Sequence, residues 1–287
     1  MTGTDLGPLG VWWSGSWRVE EDPALDAAAE LEALGYGAVW STGGFKPGLS
    51  SRFGRLLAST RRMVVASGIV NTWLVAPAAL ATAVTELEAA HPGRFLLGLG
   101  ASHASLVDAY ARPYAHVVAF LDALDAQAAP VPKARRVLAA LGPRMLSLAA
   151  ERAAGAHPYL VPVEHTARAR QTMGTGPLLA PEVTAVLDPD PARARALARR
   201  FVTGYLTFPN YANNLRALGF GDDDLAGGAS DRLIDAVVAW GDAGRVLERL
   251  RQHLEAGADH VCVQILSTED GFPLAGYRAL SRAWHGS

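Results

Sequence analysis

Apolar and polar positions alternate between two rhythms along this chain. Short, almost wholly apolar runs such as MVVASGIV (63–70) and HVCVQIL (260–266) are followed by longer stretches with apolar residues at helical spacing. The first rhythm reads as strand near 8–13, 37–41, 63–70, 94–100, 135–141, 156–162, 180–187 and 259–266. The second reads as helix most clearly over 21–34, 77–90, 113–126, 143–154, 190–216 and 244–256. One joint recurs at LEALGYGAVW (31–40), ERAAGAHPYL (151–160) and HLEAGADHVCV (253–263). Each time a glycine ends a helix just before an apolar run. Strands apolar on both faces belong in a parallel sheet covered by helices. Eight of them in 287 residues predict an α/β fold, a (β/α)8 TIM barrel. A doubly wound sheet is the other candidate, but no early glycine-rich fingerprint supports it. The stretch around 205–240 exceeds a simple crossover and is expected to add a helical insertion before the last helix–strand unit. No linker breaks the composition, so residues 1–287 read as a single domain.

Composition narrows the function. Charged residues make up 19% and the net charge is −2, so a basic nucleic-acid footprint is missing. No apolar run is long enough for a membrane span, and the N-terminal residues lack a signal pattern. The single cysteine, Cys262, excludes an internal disulfide. The expectation is a soluble cytoplasmic protein that binds neither membrane nor nucleic acid and acts on a small molecule.

In such a barrel, chemistry gathers at the C-terminal ends of the strands. By that rule His91, His157 and His260 fall on the opposite face, and His103 and His165 reach the functional rim. The rim has no His-x-His metal motif, nucleophile elbow or phosphate loop, and its few carboxylates, chiefly Glu164 and Asp188, are not paired as in a glycosidase. Trp12 and Trp13 either fill the barrel mouth or line a planar ring. Gly68 inside a strand suggests a bulge or a ligand close to the backbone, or simply relieves crowding. Gly98 to Ser102 invite the same reading. At Gly142-Pro143 a strand turns into a helix, leaving amide N–H groups suited to a phosphate.

GYGAVWS, VVASGIVNTW, HPGRFLLGLGASH, LAALGPRMLSLAAERAAGAHPYLVPVEHT and GADHVCVQ together resemble the luciferase-like monooxygenase superfamily, specifically its coenzyme F420-dependent branch. The resemblance implies a deazaflavin at the strand C-termini, backed by a bulge at Gly68, Ile69, Val70 and Asn71. It also implies a cis Gly68–Ile69 bond. Gly100, Ala101 and Ser102 would border the ring, and Gly142, Pro143, Arg144 and Met145 would hold the cofactor tail, with His165 nearby. Relatives carry an acidic residue and a histidine after the second strand; here that place reads Gly43-Gly44-Phe45. His103 then becomes the candidate for proton transfer. The expected activity is F420-dependent hydride transfer to or from a small organic substrate by a homodimer. An FMN-dependent monooxygenase and a non-catalytic deazaflavin binder are the alternatives, and no metal is expected.

Overall fold

The computed structural model describes residues 5–13, 23–42, 49–268 and 271–286. The first half alternates strand and helix: β1 (Leu9–Trp13), α1 (Pro23–Ala33), β2 (Ala38–Ser41), α2 (Leu49–Ala58), β3 (Val64–Ser67), β4 (Val70–Asn71), α3 (Pro77–Ala90), β5 (Phe95–Gly100) and α4 (Pro113–Asp125). The middle continues with β6 (Arg136–Leu138), α5 (Pro143–Arg152), β7 (Gly155–Ala156), α6 (Val163–Met173), β8 (Leu178–Leu179) and β9 (Glu182–Val186). Four helices follow, α7 (Pro191–Leu206), α8 (Pro209–Ala217), α9 (Asp222–Leu225) and α10 (Asp231–Val237). The chain ends with β10 (Val238–Trp240), α11 (Ala243–Glu255), β11 (Val261–Ile265) and α12 (Leu274–His285).

All the ladders are parallel, and the sheet runs β10-β9-β11-β1-β2-β3-β5-β6-β7-β8, with β4 added alongside β5. β8 lies at one end of this path and β9 near the other, yet only Ala180-Pro181 separates them in sequence. The sheet therefore curls.

Strand alternation sorts side chains to its two faces. Val11, Val39, Val65 and Leu97 pack outward beneath Leu31, Phe53, Leu80 and Leu121 of the helices. Trp12, Ala38, Trp40, Leu96, Val137 and Cys262 form the opposite, inner layer. The curl brings backbones close: a Cβ on Gly98 would lie 1.9 Å from Ser67 O, and one on Gly155 1.8 Å from Leu178 O. Only glycine fits at either place.

The sequence reading departs from this structure in several details. β6 and β7 end at Leu138 and Ala156, before the residues that follow turn over a cavity. The long helix expected over 190–216 is two, because Pro209 cannot continue α7 but can start α8. β10 falls inside the stretch read as insertion, and α2, α6 and α12 are further helices beyond the clearest ones. Helices α8 to α10 form, with α7, a separate apolar cluster around Leu215, Leu233 and Trp240. Among the described residues no helix is long and apolar enough to cross a membrane.

Candidate active site

A cavity of 520 Å³ opens where the inner strands end. Its floor and one wall come from the β3–β4 junction. There the Gly68–Ile69 peptide is cis, as expected, and Gly68 N donates to Ser41 O at 2.6 Å. Ser67 Oγ binds Gly98 O at 3.0 Å and accepts from Gly98 N at 2.8 Å, pinning the bulge to β5. The Ile69 side chain fills the space above Gly100, where an added Cβ would meet its Cδ1 at 2.8 Å. Gly68, Ile69 and Asn71 line the cavity, whereas Val70 points into the outer core.

Gly100, Ala101, Ser102 and His103 continue the lining from the end of β5. His103 stacks on Phe208, with ring centroids 3.9 Å apart and planes at 15°. Its Nδ1 lies 3.1 Å from Asn210 Oδ1, so Nδ1 carries the proton and Nε2 keeps a lone pair. Burial lowers the His103 pKa, partly offset by that hydrogen bond, so the ring is neutral at neutral pH.

Gly142 and Met145 line the cavity at the start of α5, which has Pro143 at its first turn and no side-chain cap. Nothing lies within 4 Å of a Cβ placed on Gly142, so the helix N-terminus faces open space. Pro143 and Arg144 are exposed and do not line the cavity; the Arg144 guanidinium lies 4.2 Å from the ring of Tyr114, itself a lining residue.

Two histidines sit elsewhere than the sequence rule placed them. His165 does not reach the cavity: it is buried within α6, and Nε2 donates to Leu141 O at 2.9 Å. Its neighbour Thr166 binds His253 at 2.8 Å, again away from the cavity. β7 ends at Ala156 rather than starting there, so His157 moves from the expected stability face into the cavity lining. It stacks on Trp40 with centroids 4.3 Å apart. Burial pushes its pKa down to about 4.

The far wall was not anticipated. Tyr205, Phe208, Asn210 and Tyr211 come from the α7–α8 junction, part of the stretch read as lying beside the barrel. The aromatic density of YLTFPNY was the available signal. Within this wall Tyr205 donates to Tyr159, also a lining residue, at 3.1 Å, and Tyr159 donates to Gln264 at 2.7 Å. Deeper still, Glu182 accepts from Thr184 at 2.6 Å and from Leu160 N at 3.1 Å. Burial raises its pKa to about 7.

Among the described residues, three buried polar atoms of cavity-lining side chains have no partner: Trp12 Nε1, Asn71 Nδ2 and His157 Nε2. Thr42 is at the rim, while Gly43-Gly44-Phe45 lies outside the described residues. No group of three metal-ligating side chains occurs among the described residues.

The sequence profile of the luciferase-like monooxygenase family matches residues 19–126 and 118–260, most of the chain. The protein belongs to the luciferase-like monooxygenase family. Solved structures share this luciferase-like fold at low identity. An F420-dependent secondary alcohol dehydrogenase, in complex with an F420-acetone adduct, is 15% identical, with a TM-score of 0.74 over 96% of this chain and 98% of that one. The coenzyme F420-dependent tetrahydromethanopterin reductase of Methanopyrus kandleri is also 15% identical, with a TM-score of 0.71 and the same coverage. The oxygenating constituent of 3,6-diketocamphane monooxygenase from Pseudomonas putida, in complex with FMN, is 13% identical, with a TM-score of 0.66 over 96% of each chain. No curated protein sequence matches this luciferase-like chain at a significant level.

Proposed function

We propose that this protein is a coenzyme F420-dependent oxidoreductase built on a (β/α)8 barrel, exchanging hydride between the deazaflavin and a small organic substrate. The observation that carries the reading is the cavity itself, a bulged β3–β4 wall facing an aromatic wall, with an uncapped helix N-terminus at one end. Its 520 Å³, apolar walls and open Gly142 fit a planar ring with an anionic tail. When bound, the deazaflavin supplies hydride exchange at C5.

The chain's own residues do the rest. Gly68 and Ile69 support one face of the ring, Asn71 reaches it from the same wall, and Val70 anchors the bulge from behind. Gly100, Ala101 and Ser102 border it. Gly142 and Met145 present the α5 N-terminus to the phosphate of the tail, and Pro143 and Arg144 shape that turn. Tyr205, Phe208 and Tyr211 exclude water and orient the substrate. His103 Nε2 accepts a proton from a substrate hydroxyl, or returns it in the reverse direction. This arrangement needs no histidine after β2. The family resemblance adds a cytoplasmic homodimer.

An FMN-dependent monooxygenase is the second reading, favoured by the FMN-bound neighbour of the same fold. Titration of the purified protein with F420 and with FMN, monitored by fluorescence or calorimetry, separates the two. Micromolar or tighter binding of F420 alone is expected. Preference for FMN, with oxygen consumed on turnover, would replace the proposal; binding of neither would end both.

A further inference from the structure

Trp12 Nε1, Asn71 Nδ2 and His157 Nε2 are a mixed set of unmet hydrogen-bonding atoms, all on residues that line one cavity. Their residues are 5%, 3% and 2% exposed, so water at the protein surface does not serve them. Leaving such an atom without a partner costs about 1–3 kcal/mol, and three together are a standing demand for a ligand.

Their roles are fixed by the bonds made on their other sides. The indole of Trp12 can only donate. Asn71 Oδ1 accepts from Trp73 N at 3.0 Å, which turns the amide Nδ2, a donor, the other way. His157 Nδ1 lies 2.7 Å from Ala180 O and must carry the proton, so Nε2 is a bare acceptor. The set is thus two donors and one acceptor.

The acceptor is held rigidly. The His157 ring stacks on Trp40 at 17°, Trp40 Nε1 donates to His260 Nε2 at 3.0 Å, and His260 Nδ1 donates to Gly7 O at 2.7 Å. Trp12 and His157 also converge. A Cβ on Gly68 would lie 2.7 Å from Trp12 Nε1 and 3.3 Å from His157 Nε2. Glycine at this position lets both side chains approach the backbone, where any Cβ would crowd the indole nitrogen.

We propose that Trp12, Asn71 and His157 recognise the –CO–NH–CO– edge of a pyrimidinedione ring. Two carbonyl oxygens meet the two donors, and the imide N–H meets His157 Nε2. A carboxylate or phosphate would satisfy the donors but be repelled by the imidazole lone pair, so the set selects a neutral imide over an anion. The inference rests on the proposed function only in that a ring cofactor enters this cavity. Deazaflavins and flavins share the edge, and the test includes both.

The experiment is a fluorescence titration of the full-length protein with a 5-deazaflavin and its N3-methyl derivative, and with lumiflavin and 3-methyllumiflavin. Whichever ring binds, N3-methylation is expected to weaken binding by about tenfold or more, since it removes one hydrogen bond and leaves His157 buried and unpaired. In His157→Phe, which keeps an aromatic ring over Trp40, the two forms should bind within about twofold of each other. Trp12→Phe should weaken both forms alike and keep the discrimination. Equal affinity of the N–H and N-methyl rings for the wild-type protein overturns the inference, even if a variant fails to fold. Failure of every unmethylated ring to bind overturns the cofactor reading and this inference with it.

Discussion

His103 and Asn210 meet across the cavity mouth, Nδ1 to Oδ1 at 3.1 Å, although 107 positions separate them in the chain. The contact joins the end of the curled sheet to the α7–α8 junction and leaves His103 Nε2 as a base. Replacing His103 with Ala should lower kcat by about 10²-fold or more while changing F420 affinity little, as for loss of a general base. Steady-state kinetics beside a binding titration checks this; unchanged turnover would remove His103 from the mechanism.

The same pair sets a pH limit. Burial holds the His103 pKa below the usual 6.5, and the Asn210 carbonyl pulls it partly back by favouring the cation. The acid limb of kcat/KM is expected below pH 6.5, activity being lost as the base protonates. Asn210→Leu removes the upward pull and should move that limb to still lower pH. A limb that moves upward in the variant would contradict the assignment.

Two glycines should separate folding from binding. Gly98→Ala puts a Cβ 1.9 Å from Ser67 O, where backbone must move, and should cost about 3 kcal/mol or more in urea unfolding. Gly142→Ala meets nothing within 4 Å at a φ of −82° and should leave stability within about 0.5 kcal/mol. Its methyl group narrows the approach to the α5 N-terminus, so F420 binding should weaken several-fold.

Stability should fall steeply in mild acid. His157 and His260 have folded pKa values of about 4, and His253 of about 3, all lowered mainly by burial. Unfolding lets each regain 6.5, so the unfolded chain binds more protons between about pH 4 and 6.5. Stability is present above that window and lost as pH falls through it. Glu182 acts oppositely, its carboxyl staying protonated in the fold up to about pH 7. The net slope near pH 5.5 is roughly 2 kcal/mol per pH unit, measurable by denaturant unfolding.

Glu182→Gln isolates the opposing contribution. Glu182 ionises at about 7 in the fold rather than 4.5, so it costs stability as pH rises through that range. The variant should gain on the wild type by about 3 kcal/mol between pH 4.5 and 8. A gap that does not change with pH would show that the carboxyl titrates normally.

Much of this molecule was legible in its residues. The apolar runs at 63–70 and 259–266 announced parallel strands, and Gly68 within a strand marked the bulge that backs the cavity. His157 was misplaced because HPYLV reads as a strand start; the residue before it, Ala156, is instead where the strand ends. Which of its neighbours stops a two-residue strand depends on the sheet's curl, and local pattern carries no trace of that. His165 illustrates the converse: proximity in sequence to a rim does not settle which side of a helix faces it. The α7–α8 wall escaped because a cavity joining residues 100 positions apart is a tertiary fact.

The break at Pro209 also divides the labour of the site. The bulge and the end of β5 grip from strand ends locked into the sheet, whereas Tyr205 to Tyr211 hang from a two-helix elbow with its own apolar cluster. Substitutions in the elbow can change which molecules are admitted without disturbing the grip. Diversification of this scaffold, by descent or by design, has its cheapest route through those seven positions.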